Sequence, residues 1–327
     1  MPVKLRDRVV ATTTGLFSHG PRPLENTLDH LGDPGLLGPD SVSWEVIGDS
    51  TAFVGGIRAL LIQTAHPEVV AGVDQHSTYR SDPLGRLTRT SLYVTQTTYG
   101  ARPEVDEAVS MVRRAHGPVK GHSERSRSYR AGDPGLAAWV HNVLTESFLA
   151  AYQAYGPRRL STREADRFVA EQARIGTLLG ADPLPHTAAD LREWITCHPD
   201  IDHSDAQDRS LEFLRDPPLS LPVRLGYRLL SDAAIATIPE RIRTLSGLET
   251  HPRARQVGRQ AVGALRWSLG SSPSWGPRRP PGGAGGGAGR GGPPRGPGPP
   301  AGGPGGGGGR GGAGGGGGGG AGGRGPP

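Results

Sequence analysis

Apolar residues recur along the chain at the three- and four-residue spacing of amphipathic α-helices, and the alternation typical of β-strands is nearly absent. The clearest helical segment runs from Glu104 to His116, and the histidine takes the next position on the face that the apolar residues form. Those apolar residues are Val105, Ala108, Val109 and Val112. Only residues 42–46 could be argued to form a strand.

Polar caps, prolines and glycines mark where the helices begin and end. Asp82-Pro83 predicts a helix start, and Ser161 with Glu164 has the spacing of a capping box. We predict helices at about 24–31, 44–64, 67–76, 84–98, 104–116, 134–155, 162–179, 187–196, 211–214, 222–235 and 253–269. The expected fold is therefore all-α, a single large helical domain of roughly nine to eleven helices.

Composition divides the chain into three parts. Residues 1–42 are interrupted by several prolines and are expected to form a covering arm, and residues 43–270 carry the helical pattern. Residues 271–327 are expected to form a low-complexity tail. From residue 281 onward the tail consists of 29 Gly, 9 Pro, 5 Ala and 4 Arg, which offer almost no surface for burial, so we expect disorder. A frameshifted end is the alternative, because GC-rich DNA encodes such a composition in many frames.

Charge and cysteine content exclude several classes of protein. The net charge is +6, and four of these charges are the arginines of residues 281–327, so the rest of the chain carries only about +2 and is not expected to be a nucleic-acid-binding domain. One cysteine, Cys197, excludes an intramolecular disulfide framework and a zinc site of the CxxC type. No apolar run approaches the ~20 residues of a membrane span. We expect a cytoplasmic protein without stable membrane insertion.

A polar stripe lies on the helix that follows Pro83. Arg86, Thr90, Tyr93 and Thr97 are spaced i, i+4, i+7 and i+11, so they share one face, and Arg89 borders it. Guanidinium and hydroxyl groups of this kind can hold carboxylates or phosphates. A solvated helix face is the alternative interpretation.

Two histidines stand on apolar helix faces, His116 and His141. A histidine in such a position can be a packed core residue, but two of them beside an Arg/Thr stripe favour a cofactor. Neutral imidazole is an axial ligand for haem iron, and the haem propionates need partners such as Arg, Thr or Tyr. A further group of Asp200, Asp202, His203 and Asp205 is interpreted as a solvated loop before a helix rather than a metal site.

Several segments, in this order, resemble the MpaB-type oxygenases, a family that includes the latex-clearing rubber oxygenase. The resemblance covers about residues 42–270. The matching segments are 55–67 (GGIRALLIQTAHP), 73–77 (VDQHS), 82–90 (DPLGRLTRT), 112–121 (VRRAHGPVKG), 133–134 (DP), 139–141 (WVH), 151–155 (AYQAY), 179–180 (LG) and 267–270 (WSLG).

The resemblance implies an all-helical fold that encloses haem b, with the iron ligand in the motif matched by His116. It also implies that Arg86 and Thr90 lie beside the haem on the distal side. The rubber oxygenase has a lysine just before that threonine that can cap the iron. Here the position holds Arg89, which is a poor metal ligand.

These observations favour a haem b-dependent oxidoreductase of the oxygenase type, acting on a small apolar organic substrate with dioxygen. His116 is the expected iron ligand, and Arg86, Thr90 and His141 are further cofactor-binding candidates. Arg86, Arg89 and Thr90 are the candidates for holding propionates or steering dioxygen. The alternatives are a non-catalytic helical haem- or ligand-binding protein, and a helical scaffold in which both histidines are core residues.

Overall fold

The computed structural model describes Val10, Leu24 and residues 27–269, and most of that range is helical. The predicted tail at 271–327 and most of the first 26 residues of the predicted arm lie outside the described residues. A 3₁₀ helix, Thr27–His30, precedes twelve α-helices and one small hairpin. The α-helices are α1 (Val42–Gly48), α2 (Thr51–Gln63), α3 (Pro67–His76), α4 (Pro83–Tyr99), α5 (Arg102–His116), α6 (Pro134–Tyr155), α7 (Thr162–Leu179), α8 (Ala188–Thr196), α9 (Asp205–Arg215), α10 (Leu221–Ile235), α11 (Glu240–Leu245) and α12 (Ala254–Leu269).

The predicted all-α class is confirmed, and the count of helices in the described range exceeds the expected nine to eleven by one. The helix expected at 44–64 is two helices, α1 and α2. The Asp49 carboxylate accepts the Thr51 N–H at 2.9 Å, and a new helix begins at Thr51. The possible strand at 42–46 is instead part of α1, whose first turn is capped by Ser41. Helix α11 was not predicted, since six residues are too few to show a helical period.

The only strands within residues 27–269 form a short antiparallel hairpin between α5 and α6. Strand β1 (Lys120–His122) pairs with β2 (Ser128–Arg130), and Gly121 lies opposite Tyr129. The Tyr129 hydroxyl donates to Gln75 of α3 at 2.6 Å, so the hairpin is anchored to the body.

Helix α6 lies at the centre of the core and packs against α2 along much of its length. The two helices approach closely at Gly55, where a Cβ added to the glycine would lie 2.6 Å from the Phe148 ring. A larger residue at position 55 would separate α2 from α6, so glycine is required by the packing. Among the described helices, none has both the length and the apolar content needed to cross a membrane.

Candidate functional site

Helix α4 carries the predicted polar stripe on one side. At about 100° per residue, Arg86, Thr90, Tyr93 and Thr97 fall within an arc of roughly 60°. Thr90 is exposed, Arg86 and Tyr93 are half-buried, and Thr97 is buried. Only Thr90 of the four is exposed and Thr97 is buried, so the stripe is not a uniformly solvated face.

The two arginines of this helix differ in their partners. Arg89 is exposed and pairs with the Asp82 carboxylate at 3.2 Å, beside the cap of the helix. The Arg86 guanidinium lies 5.8 Å from the centre of the Tyr79 ring and has no carboxylate partner among the residues described. Burial and the nearby Arg89 charge lower the pKa of Arg86, but a guanidinium stays protonated at any physiological pH. Arg86 is thus a half-buried cation available to an anionic group.

Tyr93 lies deeper on the same stripe and has an unusual hydroxyl. Its oxygen is buried, and no hydrogen-bond partner is found for it within the described part of the chain. Leu36, Val105 and Ile175 form the apolar cluster against which Tyr93 packs. Burial raises the pKa of Tyr93, so the group is a neutral hydroxyl that can donate. A buried, unpaired hydroxyl costs roughly 1–3 kcal/mol and is uncommon in native proteins unless a bound water, ion or ligand pairs with it.

Helix α5 presents His116 at its last position, on a face that the protein leaves uncovered. The same face is buried at Val105 and Val109, half-buried at Val112 and exposed at His116. His116 is exposed overall, and desolvation by the surrounding protein still lowers its pKa. No hydrogen bond of its ring is found in the described range, so a neutral imidazole is free to bind a metal.

The α4–α5 hairpin has the start of the stripe and His116 at its end away from the connection. Gly100 and Ala101 alone connect the two helices, and the Glu104 carboxylate accepts the Ala101 N–H at 2.7 Å. Arg86 and His116 each lie fifteen residues from Ala101, and the two helices pack together. Both residues therefore stand at the end of the hairpin away from the connection, while Tyr93 and Thr97 lie nearer to it.

His141 is not part of this hairpin. It is buried on α6, where its Nε2 lies 2.9 Å from the Gln172 carbonyl oxygen of α7. A Cβ added at Gly176 would lie 2.8 Å from the ring, so α7 packs closely over the histidine. Burial lowers the pKa of His141 to about 4, which keeps the ring neutral. The structure thus gives His141 a packing role and a hydrogen bond between two core helices.

A second set of polar residues was not found by sequence reasoning. His66, His198 and Asp200 converge so that one donor atom from each lies within 4.8 Å of the others. Asp200 belongs to this cluster, whereas His203 pairs with Asp208 at 3.1 Å. The interpretation of the 200–205 segment as a loop before a helix agrees with Ser204, which caps α9.

One comparison with known proteins gives a match. The family model described as "ER-bound oxygenase mpaB/B'/Rubber oxygenase, catalytic domain" matches residues 44–267. That range begins in α1, ends in α12 and includes both the α4–α5 hairpin and the central helix α6. No curated protein and no solved structure matches the chain.

Proposed function

The chain belongs to the mpaB/rubber oxygenase catalytic-domain family, and from this membership we propose that it is a haem b-dependent oxygenase acting on a small apolar organic substrate. An oxygenase requires dioxygen, a substrate and, in this family, a metal or haem cofactor. The haem, the apolar substrate and a cytoplasmic location are parts of the proposal. The absence of a second cysteine in the sequence supports the location.

The observation that carries the proposal is the end of the α4–α5 hairpin. A two-residue connection joins the helix of Arg86, a cation without a carboxylate partner among the described residues, to the helix that ends at His116, whose imidazole is exposed. In the proposed site His116 binds the iron and Arg86 binds a propionate, for which its planar guanidinium is suited. Bound haem would supply the redox chemistry with dioxygen.

The side chains of α4 and α5 fit a haem group. The partly exposed face of α5 at Val112 and His116 offers surface for the edge of a flat macrocycle, and the buried Tyr93 hydroxyl offers a donor that nothing else in the described range uses. Thr90 donates its hydroxyl to the Arg86 carbonyl at 3.0 Å, so its oxygen can still accept a hydrogen bond. Arg89, held by Asp82, adds positive charge beside the stripe. In the proposal Arg89 and Thr90 hold a propionate or orient dioxygen, and Arg89 does not cap the iron.

The proposal is tested by titrating the metal-free protein with haem and then measuring dioxygen consumption with a panel of apolar substrates. The expected result is stoichiometric haem binding followed by substrate-dependent dioxygen uptake and an oxygenated product. Haem binding without turnover on any substrate would favour the non-catalytic haem-binding alternative. Failure to bind haem would contradict the proposal and leave both histidines as structural residues.

A further inference from the structure

Three metal-ligating side chains from two distant segments meet outside the α4–α5 hairpin. His66 directly precedes α3, and His198 and Asp200 lie in the loop that follows α8. Their donor atoms lie within 4.8 Å of one another. Two ligands of one zinc ion lie at most about 4.3 Å apart, so a small movement of the side chains would bring all three to one ion. None of the three belongs to the proposed haem site.

The His66 side chain gives an independent reason to expect a ligand. The residue is 3% exposed, and its Nδ1 atom is buried with no hydrogen-bond partner in the described range. The nearest charged atom is Glu68 Oε2, at 3.4 Å. A buried ring nitrogen left unpaired is destabilising, so a bound ion would satisfy a group that the protein alone does not.

Aromatic side chains enclose the two histidines. The His198 ring lies 4.6 Å from Trp194 and 4.9 Å from Trp139, between ring centres, and both contacts are edge-to-face. His66 lies 5.6 Å from Trp139 and 5.5 Å from His198. These contacts restrict the rings, so little ordering is needed before a ligand binds.

We propose that His66, His198 and Asp200 bind one divalent metal ion of the class that prefers imidazole, with Zn²⁺ as the representative. Two neutral imidazoles and one carboxylate are a donor set that proteins use for such ions. Three protein ligands leave at least one coordination position for water or a small molecule. The site would join α3 to the loop after α8.

Charged groups of both signs surround the cluster. Glu68 Oε2 lies 3.4 Å from His66 Nδ1, where its negative charge attracts a cation, and Arg127 donates to Asp200 Oδ1 at 2.5 Å. His198 Nδ1 accepts the Asp200 N–H at 3.2 Å, which is a long hydrogen bond. An ion that binds His198 through Nδ1 would replace this hydrogen bond.

Two arginines beside the cluster weaken the binding of a cation. Arg127 occupies one oxygen of Asp200, and Arg125 lies 3.8 Å from the same oxygen while it pairs with Glu68. They reduce the negative charge that an ion would meet, so we expect only moderate affinity. We therefore expect Arg127→Gln to raise the affinity for the metal ion, because it frees the Asp200 carboxylate oxygen and removes one repulsive charge.

The test uses the full-length, chelator-treated protein, with Zn²⁺ titrated by calorimetry and Co²⁺ followed by its visible ligand-field bands. We expect one site per chain, a loss of affinity of at least tenfold in His198→Gln and Asp200→Asn, and a gain of about tenfold in Arg127→Gln. His203→Ala, an exposed histidine on the neighbouring loop, is the matched control and should bind as the wild type does.

Two outcomes would overturn the proposal: no stoichiometric binding, or binding that His198→Gln, Asp200→Asn and Arg127→Gln leave unchanged. His198→Gln and Asp200→Asn alter half-buried residues, so the test does not depend on whether a variant of the buried His66 folds. His116→Ala should retain Zn²⁺ binding, which separates the failure of this site from the failure of the haem proposal.

Discussion

Arg58 of α2 and Glu146 of α6 form an ion pair in the centre of the core, and the Arg58 side chain is completely inaccessible to solvent. The guanidinium also donates to Ser147 Oγ at 2.8 Å and to the Thr237 carbonyl oxygen at 3.2 Å. A buried charge requires such a set of partners, because an unpaired charge in the interior is strongly destabilising. The pair therefore fixes how the two central helices meet.

Removing one member of this pair should destabilise the fold. We expect Glu146→Gln and Arg58→Met each to lower the free energy of unfolding by about 3–5 kcal/mol, because each leaves the charge of the other partner buried and unpaired. Denaturant unfolding measures the effect. Arg102→Ala breaks an exposed pair with Asp106 and serves as the control, with an expected change of about 0.5 kcal/mol or less. Equal effects in the core variants and the control would contradict this role of the pair between α2 and α6.

The buried His141 predicts a loss of stability in acid. Burial lowers its pKa from 6.5 to about 4. Between these two pH values the histidine is therefore protonated in the unfolded chain and neutral in the folded chain. The contribution of His141 to the free energy of unfolding has its full value above about pH 6.5. It decreases as the pH falls towards 4, and it changes no further below that pH. A pKa difference of about 2.5 corresponds to about 3 kcal/mol.

The measurement is the free energy of unfolding between pH 7 and pH 4, for the wild type and for His141→Gln. Glutamine keeps a donor for the Gln172 carbonyl and does not titrate, so the variant should show a flatter pH dependence. An identical slope in both proteins would show that His141 is not protected from protonation.

Arg86 and Thr90 should contribute unequally to haem binding. Arg86→Leu removes a charge-assisted contact of about 1.5–3 kcal/mol and should lower haem affinity about tenfold or more. Thr90→Val removes one hydroxyl that already donates within its own helix, so the loss should be about 0.5–1.5 kcal/mol. Haem titration of both variants, with Arg102→Leu on α5 as the control, measures the difference. If neither variant differs from the control, the stripe is a solvated face.

The sequence predicts the two helices α4 and α5 well because the signals that bound them are local. The cap at Asp82, the spacing from Val105 to His116 and the glycine at position 100 all act within a few residues of the structure that they specify. The burial of the stripe towards Thr97 could not be predicted, since it depends on packing against other parts of the chain. The same limit applies to His141, whose partner Gln172 lies 31 residues away.

The groups that sequence reasoning missed depend on distant pairs. His66 and His198 are separated by more than a hundred residues, and neither stands in a ligand spacing that a sequence pattern could reveal. Arg58 lies in an otherwise apolar stretch, which predicts a buried position, but its partner Glu146 is 88 residues away. A charged residue inside an apolar helix face is the signal that could have suggested a buried pair.

The assignment of His116 as the iron ligand is decided by the visible absorption spectrum of the haem-titrated protein, compared between the wild type, His116→Ala and His141→Ala. We expect a Soret band in the wild type that His116→Ala abolishes or shifts with loss of haem, and a band that His141→Ala retains with at most weakened binding. An unaltered spectrum and full haem occupancy in His116→Ala, or haem loss confined to His141→Ala, would contradict the assignment.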